Sequence, residues 1–126
     1  MQTDLRLAKA DNRQARLEML ADLADDLDLE TRALGRTASM SDLIALARLY
    51  AQVVRQGLVS VARDLPSSLQ SQCVRPIADR LARTGEAADI LARNAAPEAA
   101  KPFQIIAAAA HEVDAELRAL ARESRP

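Results

Sequence analysis

PFQIIAAAAHEVDAELRAL, residues 102–120, decides the fold class. Phe103, Ile106, Ala110, Val113, Leu117 and Leu120 recur at alternating spacings of three and four, the seam of an α-helix packed against other helices. Pro97 or Pro102 fits its first turn, where a missing N–H costs nothing. The pattern predicts a helix ending near Glu123, and the rest of the chain repeats the same grammar.

Leu17, Leu20, Ala24, Leu27, Thr31 and Leu34 form a second seam, closed by Gly35 as a stop. An offset series from Leu5 through Ala8, Asn12 and Ala15 to Met19 extends this helix back to about Asp4. It is then roughly 30 residues and ~45 Å long, long enough for residues 1–12 to project as an arm or for a bend near Asp11-Asn12. Counting that as helix 1, helix 2 follows a cap at Ser39 or Ser41 and runs to Leu65-Pro66, with helix 3 after it and residues 102–120 in helix 4. Helix 3 opens at Ser67 or Ser68 and carries Leu69, Cys73, Ile77, Leu81, Ala88 and Leu91. Pro76 lies inside it and predicts a kink, because it removes one backbone hydrogen bond and crowds the preceding turn. The seam keeps phase across Gly85, so one bent helix is expected, with a break into two as the alternative.

Composition agrees with four helices. The chain has 126 residues, 49% of them apolar but only 2% aromatic, with three glycines and five prolines. That is enough apolar matter for one modest core of Leu, Val, Ile and Ala, and too little turn chemistry for a many-stranded sandwich or barrel. Short connections make sequential helices antiparallel neighbours. The expectation is an all-α, single-domain (residues 1–126) antiparallel up-down four-helix bundle, with helix 1 long and helix 3 kinked at Pro76.

Net charge is −1, so no global field draws the chain to nucleic acid or anionic lipid. The distribution is uneven. Residues 18–30 hold six acids and no base, whereas residues 32–83 hold eight bases against three acids. Fifteen of the seventeen bases are arginine, which together with the alanine and leucine content reads as the composition of a GC-rich bacterial genome. Cys73 is the single cysteine, so neither an internal disulfide nor a thiolate metal cluster forms. MQTDLRLAKAD lacks an apolar signal core and no apolar run reaches the ~18–20 residues of a membrane span. A cytoplasmic location follows.

Helix 2 carries the clearest functional signal. Arg48, Gln52, Arg55, Gln56, Ser60 and Arg63 form one polar stripe, and the remaining apolar arc spans roughly 220° against the ~100° a surface helix needs. The surplus centres on Leu46, Leu49 and Val53. Leaving such side chains wet forfeits about 1.5–3 kcal/mol each, and a patch of that kind marks a partner site. Ile105, in a stretch of helix 4 apolar on nearly every side, adds a second such surface. The expected role is therefore a non-enzymatic assembly module, a homo-oligomer or a binder of a partner protein. The plainer alternative is a central helix packed by three neighbours within one chain.

A second reading uses Arg48, Arg55, Arg63, Arg75, Arg80 and Arg83 as a phosphate-contacting face of helices 2 and 3, in a nucleic-acid accessory protein of the packaging, partition or mobilisation type. It lacks a helix-turn-helix and the aromatics needed for stacking. Pairing with the acids at 18–30 or plain solvation is the simpler fate of these arginines.

His111 is the only histidine. With Phe103 and Ala110 inward, it falls on the outer flank of helix 4. The plan resembles that of a histidine phosphotransfer domain, an exposed histidine on a four-helix bundle, which would imply phosphoryl transfer to a partner. That family places a lysine and a small residue one turn on. Here Asp114 and Ala115 stand there, with Glu112 adjacent, and carboxylates repel a phosphoryl group. A di-iron bundle needs inward glutamates with Glu-x-x-His, yet residue 108 is alanine. Cys73 reads as a small buried hydrophobe on the seam, and the serines read as caps. No cofactor, metal or catalytic set is implied.

Overall fold

The structure is a computed structural model that describes the backbone of residues 2–123 and the side chains of residues 12–123. Among the described residues it is all-helical, with four helices and no strand. α1 covers Gln2–Ala33 without interruption. α2 covers residues 40–64: an α-helical part Met40–Gln52, a π-helical segment Val53–Leu58 and a last α-helical part Val59–Asp64. α3 is Ser67–Asn94, and after a 3-10 turn at Pro97–Ala99, α4 is Lys101–Glu123. Among the described residues no helix is long and apolar enough to cross a membrane. The packing of a projecting arm at residues 1–12 lies outside the described side chains, apart from exposed Asn12.

The helix ends show which punctuation acts. Ser39 caps α2, its hydroxyl accepting from the Asp42 N–H at 3.2 Å, as the Ser/Thr/Asp/Asn rule requires. Neither Ser67 nor Ser68 caps α3; Pro66 occupies the cap and no side chain bonds there. Gln70 closes that corner instead, its amide donating to the carbonyls of Ala62 at 3.3 Å and Leu65 at 3.1 Å. Gly35 stops α1 without a left-handed residue, since no positive φ occurs among the described residues. Pro76 and Gly85 both lie inside one continuous α3, so the break into two helices does not occur.

The core follows the expected seams of α1 and α4. Leu17, Ala24, Leu27, Ile106, Ala110, Val113 and Leu117 are buried. In α3 the buried face is turned towards Val74, Ala78, Thr84 and Gly85, so that Cys73 sits at its edge, half-buried, with burial and nearby Glu18 raising its thiol pKa. The largest helix–helix contact joins α3 to α4, followed by α2 with α4 and α1 with α2. α2 runs alongside α4 in the same direction, as the Arg55–Glu112 ion pair and the shared groove of Arg48, Ala51, Lys101 and Ile105 require. α1 runs with α3, joined by Arg80 to Asp22 and Asp25. The sequential pair α2 and α3 meets chiefly at the residue 65–66 corner, where α2's last turn touches the start of α3.

The π-helical segment shifts the phase of α2 part-way along the helix. Each π turn holds an extra residue, which rotates everything after it relative to a uniform α-helix. Buried positions run Leu43, Ala47, Tyr50 and Ala51 before the segment, Val54 and Leu58 within it, and Val59 and Ala62 after it. The apolar surplus at Leu46 and Leu49 lies upstream of the segment and is not its product. Gly57 lies in the segment, and a Cβ there would stand 3.3 Å from a methyl of Leu20. α1 therefore approaches α2 closely at that point, which a larger residue would oppose.

Asp28, Thr31 and Thr84 are the polar residues buried among the apolar ones in the described residues, and Asp28 is the ionisable one of the three. Asp28 on α1 is 4% exposed and pairs with Arg32 at 2.9 Å. Burial raises its pKa, an effect that Arg32 opposes without cancelling. Tyr50 is buried beside Thr84, and burial with Asp28 and Asp25 nearby holds its phenol above its ordinary value. Because the folded chain keeps a proton on Asp28 more readily than the unfolded one, Asp28 costs stability as pH rises from 3.8 through its raised folded value. Asp28→Asn, neutral throughout, is expected to be more stable than wild type near neutral pH. The gap should close below pH ~4, as chemical denaturation at the two pH values will show.

Candidate functional site

The apolar surplus is smaller on α2 than the uniform wheel implies, and it continues onto α1. Leu46 and Val53 are half-buried and pack against the core, as does Ile105 on α4. Leu49 stays 45% exposed, and on α1 Met19 and Leu23 are 62% and 44% exposed. Arg13 of α1 donates to the Asp64 carbonyl of α2, and Leu20 faces Gly57, which sets the two helices antiparallel. By that register Leu49 falls between one and two turns along the pair from Leu23, and both side chains are exposed. Leu29 and Ile90 are also exposed, at 59% and 50%, but stand apart from them: Leu29 borders the Arg80–Arg83 groove towards α3.

Sequence reasoning missed the α1 part of this surface because it read the offset series ending at Met19 only as an extension of the helix and gave Leu23 no role. That series was the surface's visible trace.

The six arginines do not converge. Arg55 pairs with Glu112 at 2.6 Å, and Arg80 bridges Asp22 and Asp25 across α1 and α3. These bonds to Asp25 and Asp22 raise the Arg80 pKa, against a smaller opposing effect of burial. Arg48, Arg63, Arg75 and Arg83 are exposed, and no ion pair engages them among the described residues. Arg48 lines the α2–α4 groove with Lys101, whereas Arg75 lines another with Asp79, Arg118 and Arg122. Arg118 is already committed there to Asp79 and Asp114, at 2.8 and 2.7 Å.

His111 is exposed on the outer flank of α4, as its seam position predicts. Its Nε2 lies 2.7 Å from an Asp89 carboxylate oxygen of α3. The ring rests directly on Gly85: a Cβ there would fall 2.7 Å from His111 Cε1 and 2.9 Å from Nδ1. A glycine thus stands inside α3 at residue 85 because an imidazole occupies the space of its missing side chain. Glu112, the neighbouring acid, is held by Arg55. No group of three or more His, Cys, Asp and Glu side chains suited to a metal ion occurs among the described residues. No protein-family model, curated protein or solved structure matches the chain.

The packing of His111 on Gly85 sets up a double-mutant cycle. Helix propensity alone favours Ala over Gly by about 1 kcal/mol. Gly85→Ala should deliver that gain in a His111→Ala background. In wild type it should deliver at least ~0.5 kcal/mol less, because the ring must move and release Asp89. Denaturant melts of the four proteins measure the difference.

Proposed function

We propose that this chain is a non-enzymatic helical interaction module that acts by self-association or by binding a partner protein through the outer side of α1 and α2. The observation that carries the reading is the set of large apolar side chains left uncovered there: Met19, Leu23 and Leu49, each more than two-fifths exposed. Isolated exposed apolar residues are ordinary on protein surfaces, but neighbouring ones on adjoining helices form a patch of the kind that marks an interface. The half-covered Leu46 and Val53 extend it inward and Ile105 borders the opposite groove. The whole chain is taken as one domain, an up-down bundle bent at Pro76, working in a bacterial cytoplasm.

An enzyme reading has less support. His111, the only histidine, has its ring against Gly85 and its Nε2 on Asp89. Cys73 has a raised thiol pKa, the opposite of an activated nucleophile.

The test is solution mass. Light scattering at about 100 µM, a concentration at which even a micromolar interface is occupied, should give more than one chain per particle or capture a partner. Leu49→Glu should weaken association at least about tenfold, as burial of an unpaired charge in an interface demands, while leaving helicity and melting unchanged. A monomer indifferent to Leu49→Glu, with no partner, ends the reading.

The nucleic-acid alternative draws on Arg48, Arg63, Arg75 and Arg83, which lack ion-pair partners among the described residues. Arg55 and Arg80 contribute less, since contacting a phosphate would first break their bonds to Glu112 and to Asp22 and Asp25. A labelled duplex titrated at about 50 mM salt, where phosphate contacts are strong, should show no binding if the interaction-module reading is right.

A further inference from the structure

The outer face of α1 carries its own partner specification. Asn12, Arg16, Met19, Leu23, Asp26 and Glu30 recur at spacings of four and three, a second heptad seam on the side of the helix opposite the buried one. All six are exposed. The seam is apolar at its centre, basic towards one end and acidic towards the other. Arg16 and Asp26 make no ion pair among the described residues, although the neighbouring acids Asp22 and Asp25 are both engaged by Arg80.

We propose that this stripe docks against the same stripe of a second copy, with the two α1 helices antiparallel about a two-fold axis passing between Met19 and Leu23. The proposal rests on the interaction-module reading and names the partner and its geometry. An isologous contact requires each residue i that meets j to have j meet i. The stripe satisfies that condition layer by layer. Met19 falls opposite Leu23 of the second copy, Arg16 opposite Asp26, and Asn12 opposite Glu30. Each layer pairs an a-type with a d-type position, as antiparallel helix packing demands. From residue 12 to residue 30 the contact is about 27 Å long at 1.5 Å per residue.

Charge selects the direction. Parallel pairing would set Arg16 on Arg16 and Asp26 on Asp26, and like charges at the ends of a short apolar centre oppose association. Antiparallel pairing turns the same four side chains into two ion pairs flanking four apolar ones. Leu49, on the α2 side of Leu23, lies at the margin of this contact, which makes its exposure part of the same surface.

Charge reversal and cross-linking test the geometry. Arg16→Asp alone and Asp26→Arg alone should each weaken the dimer about tenfold, two altered pairs at the energy of exposed ion pairs. The double variant Arg16→Asp/Asp26→Arg should restore most of the loss. Met19→Cys and Leu23→Cys proteins, each carrying Cys73→Ser, should form a disulfide-linked dimer when oxidised as a mixture and far less when oxidised separately. All these substitutions are on exposed positions or half-buried Cys73, and circular dichroism checks that each variant keeps its helix content. If the protein associates, and Leu49→Glu disrupts it, but charge reversal has no effect and the mixture does not cross-link, the antiparallel contact is wrong while the module reading survives. Equal cross-linking within each separate variant would also overturn it, in favour of a parallel arrangement. A monomer at about 100 µM overturns the dimer and leaves the module reading its partner-protein form alone.

Discussion

Close approach of α3 and α4 is the constraint on which the remainder of the molecule rests. With almost no aromatic residues, the core cannot be filled by large rings spanning wide gaps. It is filled by bringing backbones together over small residues: Ala78, Gly85 and Ala88 on α3 and Ala107, Ala110 and Ala121 on α4 are all buried. Packing at interior density then comes from many short-range contacts of low individual energy rather than from a few large side chains. Tyr50 is the exception, the largest fully buried side chain. It sits near Asp28 and Thr84, where the interior is already partly polar.

The charges are partitioned accordingly. Acids clustered at residues 18–30 and bases spread over residues 32–83 suggest two opposed surfaces when read along the chain. Folding brings some of them into one network, because α1 lies beside α3: Arg80 takes Asp22 and Asp25, and Arg32 takes Asp28 within α1. What remains outside is a mixed surface. Exposed ion pairs contribute little to stability, so their larger effect is to determine which charges stay available for contacts with other molecules.

Most of the fold was legible in the sequence because helical periodicity is a local signal. The seams of α1 and α4, the Ser39 cap and the Pro66 corner all follow from spacing and capping chemistry. Two things were not legible, both for physical reasons. A π turn leaves no periodic signature of its own, since it is a one-residue phase slip between two ordinary stretches, and Gly57 hints at close approach without saying to what. The outer stripe of α1 was hidden by its neighbour. Leu17, Leu20, Ala24 and Leu27 supply a complete inward seam, and Met19 and Leu23 then look like incidental surface residues until burial separates the two sets. The role of Gly85 was similarly beyond reach, because His111 reaches it from a helix twenty-six residues later in the chain.

The phase slip in α2 sets the inward register of its last turns apart from that of its first. Leu43, Ala47 and Tyr50 turn inward ahead of it, while Leu20 and Arg13 of α1 meet the helix at Gly57 and Asp64, in and beyond it. A uniform helix would carry one register from end to end. Without the extra residue, the closing turns of α2 would show a different face to α1 and to the interior.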